Sequence, residues 1–319
     1  MVTSSKKLLI FVLLTSTTVG AFFSVNNAQN IIDWWRLRDY TPTAKIEAVA
    51  DRTSMSEHAK KLFYVHDPEL LGKETFQTNC TVGESTIVLG CYISNQRIYL
   101  FEVVEPRLDG VIEVTAAHEM LHAGYDRLDL NEKERVDKLL LEAYDRIDNV
   151  RLSEIIENYR QRDPSVVNNE LHSILGTEYR DLPKELEDYY SKYFVDRLSV
   201  VTLAETYADE FEKRETQIAE YDSKLNELNG EITRIQAELT LQNNALQNSK
   251  SKIESFKEDP QSYNSAVTVY NKDVGIYNSG VTKVKSLVEE YNATVVERNK
   301  IAVEERELVE AIDTRESGL

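Results

Sequence analysis

His118-Glu119-Met120-Leu121-His122 is the segment of this 319-residue chain whose residue types and spacing state a chemistry. Two histidines four apart on a helix project from one face, about a turn from each other. That spacing lets both imidazoles reach one zinc ion, and Glu119 between them is placed to act as general base on a metal-bound water. Catalytic zinc normally takes a third protein ligand and keeps one position open for solvent. An HExxHxxGxxH pattern would put a histidine at 128, but the chain has Leu128. The other ligand-rich stretch is Asn169-Glu170-Leu171-His172-Ser173-Ile174-Leu175-Gly176-Thr177-Glu178, in which Glu170, Glu178 and His172 are candidate third donors. Charge on a tetrahedral intermediate also calls for a donor besides the metal, and His172, Tyr125 and Tyr179 are candidates. Tyr125 reads more naturally as packing beneath the motif helix. His58 and His66 read as ordinary surface or loop histidines.

The elements that position these groups follow from pattern. The runs TIVLGCYI and RIYLFEVV, separated by SNQ, predict two strands with a turn ahead of a motif helix spanning Asp109 to about Arg127. A sheet edge beside such a helix could bind an extended peptide. Further helices are expected from Asn131 with Glu134 in a capping-box position, over Ser153 to Arg162, over Pro164 to about Leu175, and over Pro183 to about Leu198 with Asp181 as cap. Residues 31–203, which hold every histidine and both cysteines, read as one α+β domain.

Residues 204–319 lack His, Cys and Trp. A heptad seam runs Ile218, Tyr221, Leu225, Leu228, Ile232, Ile235, Leu239, Gln242, Leu246, Ser249, Ile253, Phe256. The segment around Pro260 breaks it, and a second seam follows: Val267, Tyr270, Val274, Tyr277, Val281, Val284, Val288, Tyr291, Val295. Two seams around a turn suggest a long antiparallel coiled-coil hairpin; a parallel homodimeric coiled coil is the alternative. Gly275 and Gly280 are expected to weaken the second helix.

Lys6 and Lys7 precede an apolar run from Leu8 to about Val25, with no charge until Asp33. Residues 1–30 therefore read as a membrane anchor with the lysines cytoplasmic and the rest of the chain outside. A cleavable signal ending near Val19-Gly20-Ala21, giving a secreted protein, competes. Cys80 and Cys91 are the only cysteines, and in an exported chain the pair reads as a disulfide. The net charge of −18 disfavours nucleic acid as a partner.

HEMLHAGYDRL followed by NELHSILGTE resembles the gluzincin group of zinc metallopeptidases, in which a downstream glutamate completes the HExxH site. The wider chain also resembles exported bacterial proteins carrying this pair of segments. The resemblance implies a zincin-like, mainly helical metallopeptidase domain with a small sheet. It implies His118, His122 and Glu170 as zinc ligands and Glu119 as general base. One position departs: the gluzincin pattern often has an aspartate four residues after the glutamate ligand, where this chain has Ile174. Glu178 could substitute there or be the ligand itself. The function expected is a membrane-anchored, extracytoplasmic zinc metalloendopeptidase acting on a peptide or protein, with a protein partner or self-association through the coiled coil. The rival reading is a non-catalytic cell-envelope adaptor with a degenerate peptidase-like domain.

Overall fold

Helix dominates the residues described by the computed structural model, which are 28–80, 87–94 and 96–315. The apolar run from Leu8 and the competing cleavage site lie outside them. Among the described residues no helix is long and apolar enough to cross a membrane.

The chain opens with α1 (Ala28–Arg38), α2 (Ala44–Arg52) and α3 (Glu57–Tyr64). Thr43 and Ser56 cap the second and third, each side chain accepting a backbone N–H three residues on. Next come β1 (Glu69–Leu71), α4 (Lys73–Asn79), β2 (Gly90–Tyr92) and β3 (Ile98–Phe101). The sheet order is β1-β3-β2, with β1 parallel and β2 antiparallel to β3. Both expected strands are present, shorter than their apolar runs. β1 escaped the pattern because its three residues are all half-buried and show no alternation. A disulfide joins Cys80 at the end of α4 to Cys91 in β2, Cα to Cα 6.0 Å.

The motif helix α5 (Val111–Asp126) begins at Gly110, whose φ of 96° and contact with Leu203 suit only glycine. It is buried along most of its length and forms the axis of the core. Around it lie α6 (Leu130–Tyr144), α7 (Val150–Arg162), α8 (Val167–Glu178) and α9 (Lys184–Tyr190). Three expected starts move. Asp129, not a Glu134 box, caps α6 through Glu132 N–H, and Asn149 caps α7, whose first residue, Val150, lies three ahead of Ser153. Asp181 caps nothing, because Pro183 sits at the α9 cap without a side-chain bond. The expected helix to Leu198 also breaks after Tyr190, where Phe194 bridges back to Met55.

The long helices are α10 (Arg197–Ser255) and α11 (Pro260–Ile312). Two compact units result, one of residues up to Ala208 together with those from Ala311, the other Asp209–Glu310. Within the first, Thr314 donates its hydroxyl to the Val88 carbonyl at 2.7 Å. Within the second, Asp222 pairs with Arg298, Lys224 with Glu290 and Glu231 with Lys283, so the helices run antiparallel. Every residue of the first seam is buried or half-buried. The second seam departs at Val288, which is exposed while Leu287 is buried, a three-residue step after Val284 in place of four. Gly280 also has a use: a Cβ there would lie 2.8 Å from Leu239 Cδ2, so its absence makes room for that side chain.

Candidate metal centre

His118 and His122 stand edge to face on α5, ring centroids 4.7 Å apart. Reaching them from α8 requires two helices to approach closely. Gly176 permits it, since a Cβ there would stand 2.5 Å from Leu121 Cδ1 on α5. The C-terminal end of α8 is fixed by buried Arg197. Its guanidinium donates to the Tyr179 carbonyl at 2.7 Å and the Arg180 carbonyl at 3.0 Å, and pairs with Glu187. A cation at a helix C-terminus is favoured by the helix dipole, as is a carboxylate in the first turn, where Glu170 sits.

Glu170 meets both imidazoles. One carboxylate oxygen lies 3.7 Å from His118 Nε2 and the other 3.7 Å from His122 Nε2. Those separations exceed hydrogen-bond reach. They approach the spacing of about 3.3–3.5 Å between two donors that each stand about 2.0–2.1 Å from one tetrahedral ion. The donor set, two imidazoles and a carboxylate, therefore suits zinc. His118, Glu119 and His122 also bring ligand atoms within 4.8 Å of one another. Glu119 is nonetheless engaged elsewhere: it accepts the backbone N–H of Tyr92 in β2. Gly90 of that strand is what admits it, because a Cβ there would fall 2.9 Å from Glu119 Oε1.

His122 is oriented from behind. Its Nδ1 lies 3.0 Å from Asn169 Oδ1 and 3.1 Å from Ser173 Oγ, both on α8. Donation from Nδ1–H to the Asn169 oxygen leaves the Nε2 lone pair directed at the Glu170 side. The orienting role that Ile174 cannot perform thus falls to Asn169. Ile174 itself is buried in the core.

Burial pushes the Glu119 carboxyl up to about 7, with His122 and the Tyr92 N–H opposing and Glu170 adding to the rise. Glu170 is buried too, which raises its pKa, but the two imidazoles and the Tyr159 hydroxyl outweigh burial and hold it below the ordinary value. Tyr159, on α7, hydrogen-bonds Glu170 and is raised by its own burial and then by that carboxylate. No motif pointed to Tyr159 or Asn169. The signal for Asn169 was its place beside Glu170, one turn before Ser173.

The remaining candidates are not brought to this cluster. Glu178 pairs with Arg151 at 3.4 Å. His172 is fully buried, its Nε2 2.8 Å from the Tyr189 hydroxyl, and burial lowers its pKa. Tyr125 donates to Asp137 at 2.7 Å and packs against the His172 ring. Tyr179 stands near Glu178 and Arg151. His58 is exposed. His66 is not: it is fully buried in the turn after α3, its Nδ1 2.8 Å from the Leu62 carbonyl and its ring against Tyr92.

No family model, no curated protein and no solved structure matches the chain. What the cluster can do therefore rests on its own donors. Three of them converge from two helices, and a second carboxylate, Glu119, with a pKa near neutrality, faces the edge of the sheet.

Proposed function

We propose that the chain is a membrane-anchored, extracytoplasmic zinc metallopeptidase. The observation that carries this reading is the Glu170 carboxylate 3.7 Å from the Nε2 atoms of both motif histidines. His118, His122 and Glu170 hold the zinc, which when bound polarises a scissile carbonyl and acidifies a water. Glu119 takes the proton of the attacking water and passes it to the leaving amine. Burial raises this carboxyl in the metal-free chain, and a bound cation nearby would favour the carboxylate that a general base must be.

The substrate lies along β2. On one side of this segment Leu89 bonds to Phe101 of β3 and Ile93 to Arg97 just ahead of it. By the alternation of an antiparallel ladder, Gly90 and Tyr92 turn their backbone groups to the side of β2 that no described strand pairs, where Glu119 takes the Tyr92 N–H. An extended peptide added there brings its backbone past the general base. Export fits the disulfide, which persists in oxidising compartments, and the apolar run that precedes the described residues.

The test is Glu119→Gln in the zinc-loaded full chain, assayed on an unstructured polypeptide. The variant is expected to keep one zinc and lose about 10²–10⁴-fold in turnover. Hydrolysis at the wild-type rate, or a wild-type chain that takes up no zinc, would leave the scaffold reading in its place.

A further inference from the structure

We propose that α1 rests in the interfacial layer of a lipid bilayer through Ile31, Ile32, Trp34 and Trp35. The helix is inverted relative to a soluble one. Those four apolar side chains are 46%, 45%, 59% and 60% exposed, whereas its single acidic residue, Asp33, is 4% exposed. At 3.6 residues per turn the four occupy an arc of about 160°, with Asp33 diametrically opposite. Asp33 accepts from Arg127 at 2.7 and 3.0 Å and from Gln29 at 3.0 Å. Arg127 is the C-cap of the motif helix. A polar clamp thus docks α1 on the domain and turns its apolar face outward.

Nine of the eleven residues of α1 are exposed. A helix this short is marginal in water on its own, so its outer face needs a second support. Three observations identify that support as lipid. The apolar run from Leu8 to about Val25 leads directly into the helix. Two adjacent tryptophans are the side chains that favour the headgroup boundary, having an apolar ring and a polar N–H. In a chain of net charge −18, both charged side chains on the exposed part of α1 are basic, Arg36 and Arg38, and Arg38, paired with Asp39 at 2.8 Å, stacks over the Trp35 ring at 4.5 Å. The C-terminal end of the motif helix is then held at the bilayer surface. This placement rests on the membrane-anchored half of the proposed function and is independent of whether the centre binds zinc.

Trp34 and Trp35 are the only tryptophans in the chain, so tryptophan emission, excited at wavelengths the tyrosines do not absorb, reports on this helix alone. The full chain is reconstituted in phosphatidylcholine vesicles containing a minor fraction of phosphatidylglycerol, with bromine at shallow or deep acyl positions. Shallow bromine should quench more than deep bromine, and aqueous iodide several-fold less than it quenches a free indole. Ile31→Asp combined with Ile32→Asp should restore iodide quenching and abolish quenching by bromine. Three outcomes would overturn the proposal. They are full iodide access in the wild type, stronger quenching from the deep position, or bromine quenching that fades as protein density in the vesicle rises, which would mean a second copy covers the face.

Discussion

His122 Nδ1 lies 3.0 Å from the side-chain oxygen of Asn169, the residue immediately before Glu170. One turn of α8 thus supplies both a donor to the proposed zinc and the group that would aim another donor. Asn169→Ala should weaken zinc binding by about 10–100-fold, the usual cost of losing an outer partner of a ligand histidine. Asn169→Asp, which keeps the acceptor, should recover most of it. Competition with a chelator measures both. Equal affinity in wild type and Asn169→Ala would show that the contact does not aim the imidazole.

Glu119 gives the metal-free chain a pH signature. Its folded pKa of about 7 lies above the ordinary value of 4.5, so the folded chain binds this proton more tightly. Stability from this group is fully present below 4.5 and is lost as pH rises through 7. At 1.36 kcal/mol per pKa unit the loss is about 3 kcal/mol. Metal-free Glu119→Gln escapes it. Denaturant unfolding with chelator present should find the variant more stable at pH 8 and equal to wild type at pH 4.5. Parallel pH profiles for the two proteins would contradict the buried carboxyl.

Gly176 and Gly230 should respond oppositely to alanine. At Gly176 the new Cβ would meet Leu121 at 2.5 Å and the buried Tyr190 ring at 2.9 Å. Tyr190 is held by its bond to the His172 carbonyl, so it has little room to yield. Overpacking of about 1–3 kcal/mol outweighs the about 1 kcal/mol gained in helix propensity, and α8 is pushed from the motif helix. Gly176→Ala should therefore lower both stability and zinc affinity. Gly230, with nothing within 4 Å of a Cβ, should gain up to about 1 kcal/mol instead. Thermal unfolding of the two variants decides the sign.

The Cys80–Cys91 disulfide tethers the strand that meets Glu119. Replacing both cysteines by serine should cost about 3 kcal/mol by the chain-entropy account of a loop this short. Because Cys91 lies between Gly90 and Tyr92, turnover should fall more than zinc affinity. An unchanged rate alongside the lost stability would show that β2 holds its place without the bond.

Local signals carried much of the molecule. The heptads of residues 218–256 mark their buried stripe position by position, since a coiled-coil seam is a property of spacing alone. The strands around Cys91 and Tyr99 and the helix bearing His118 are likewise local patterns. Glu170 was chosen by motif, and its approach to the histidines depends on Gly176, which no local rule marks as a contact. Tyr159 and Arg197 were illegible because their roles exist only after α7, α8 and α10 pack. Leu287 replaced Val288 for a similar reason: the partner helix, not the heptad, selects the residue at that level. The inverted polarity of α1 was equally hidden, since Asp33 becomes an inward residue only once Arg127 is beside it.

The central claim is that His118, His122 and Glu170 together grip one divalent ion. It is tested most directly by the zinc affinity of Glu170→Ala beside that of Glu178→Ala in the full chain. The account predicts that Glu170→Ala loses well over the about 100-fold expected of an outer partner, while Glu178→Ala matches wild type. Wild-type affinity in Glu170→Ala would contradict it.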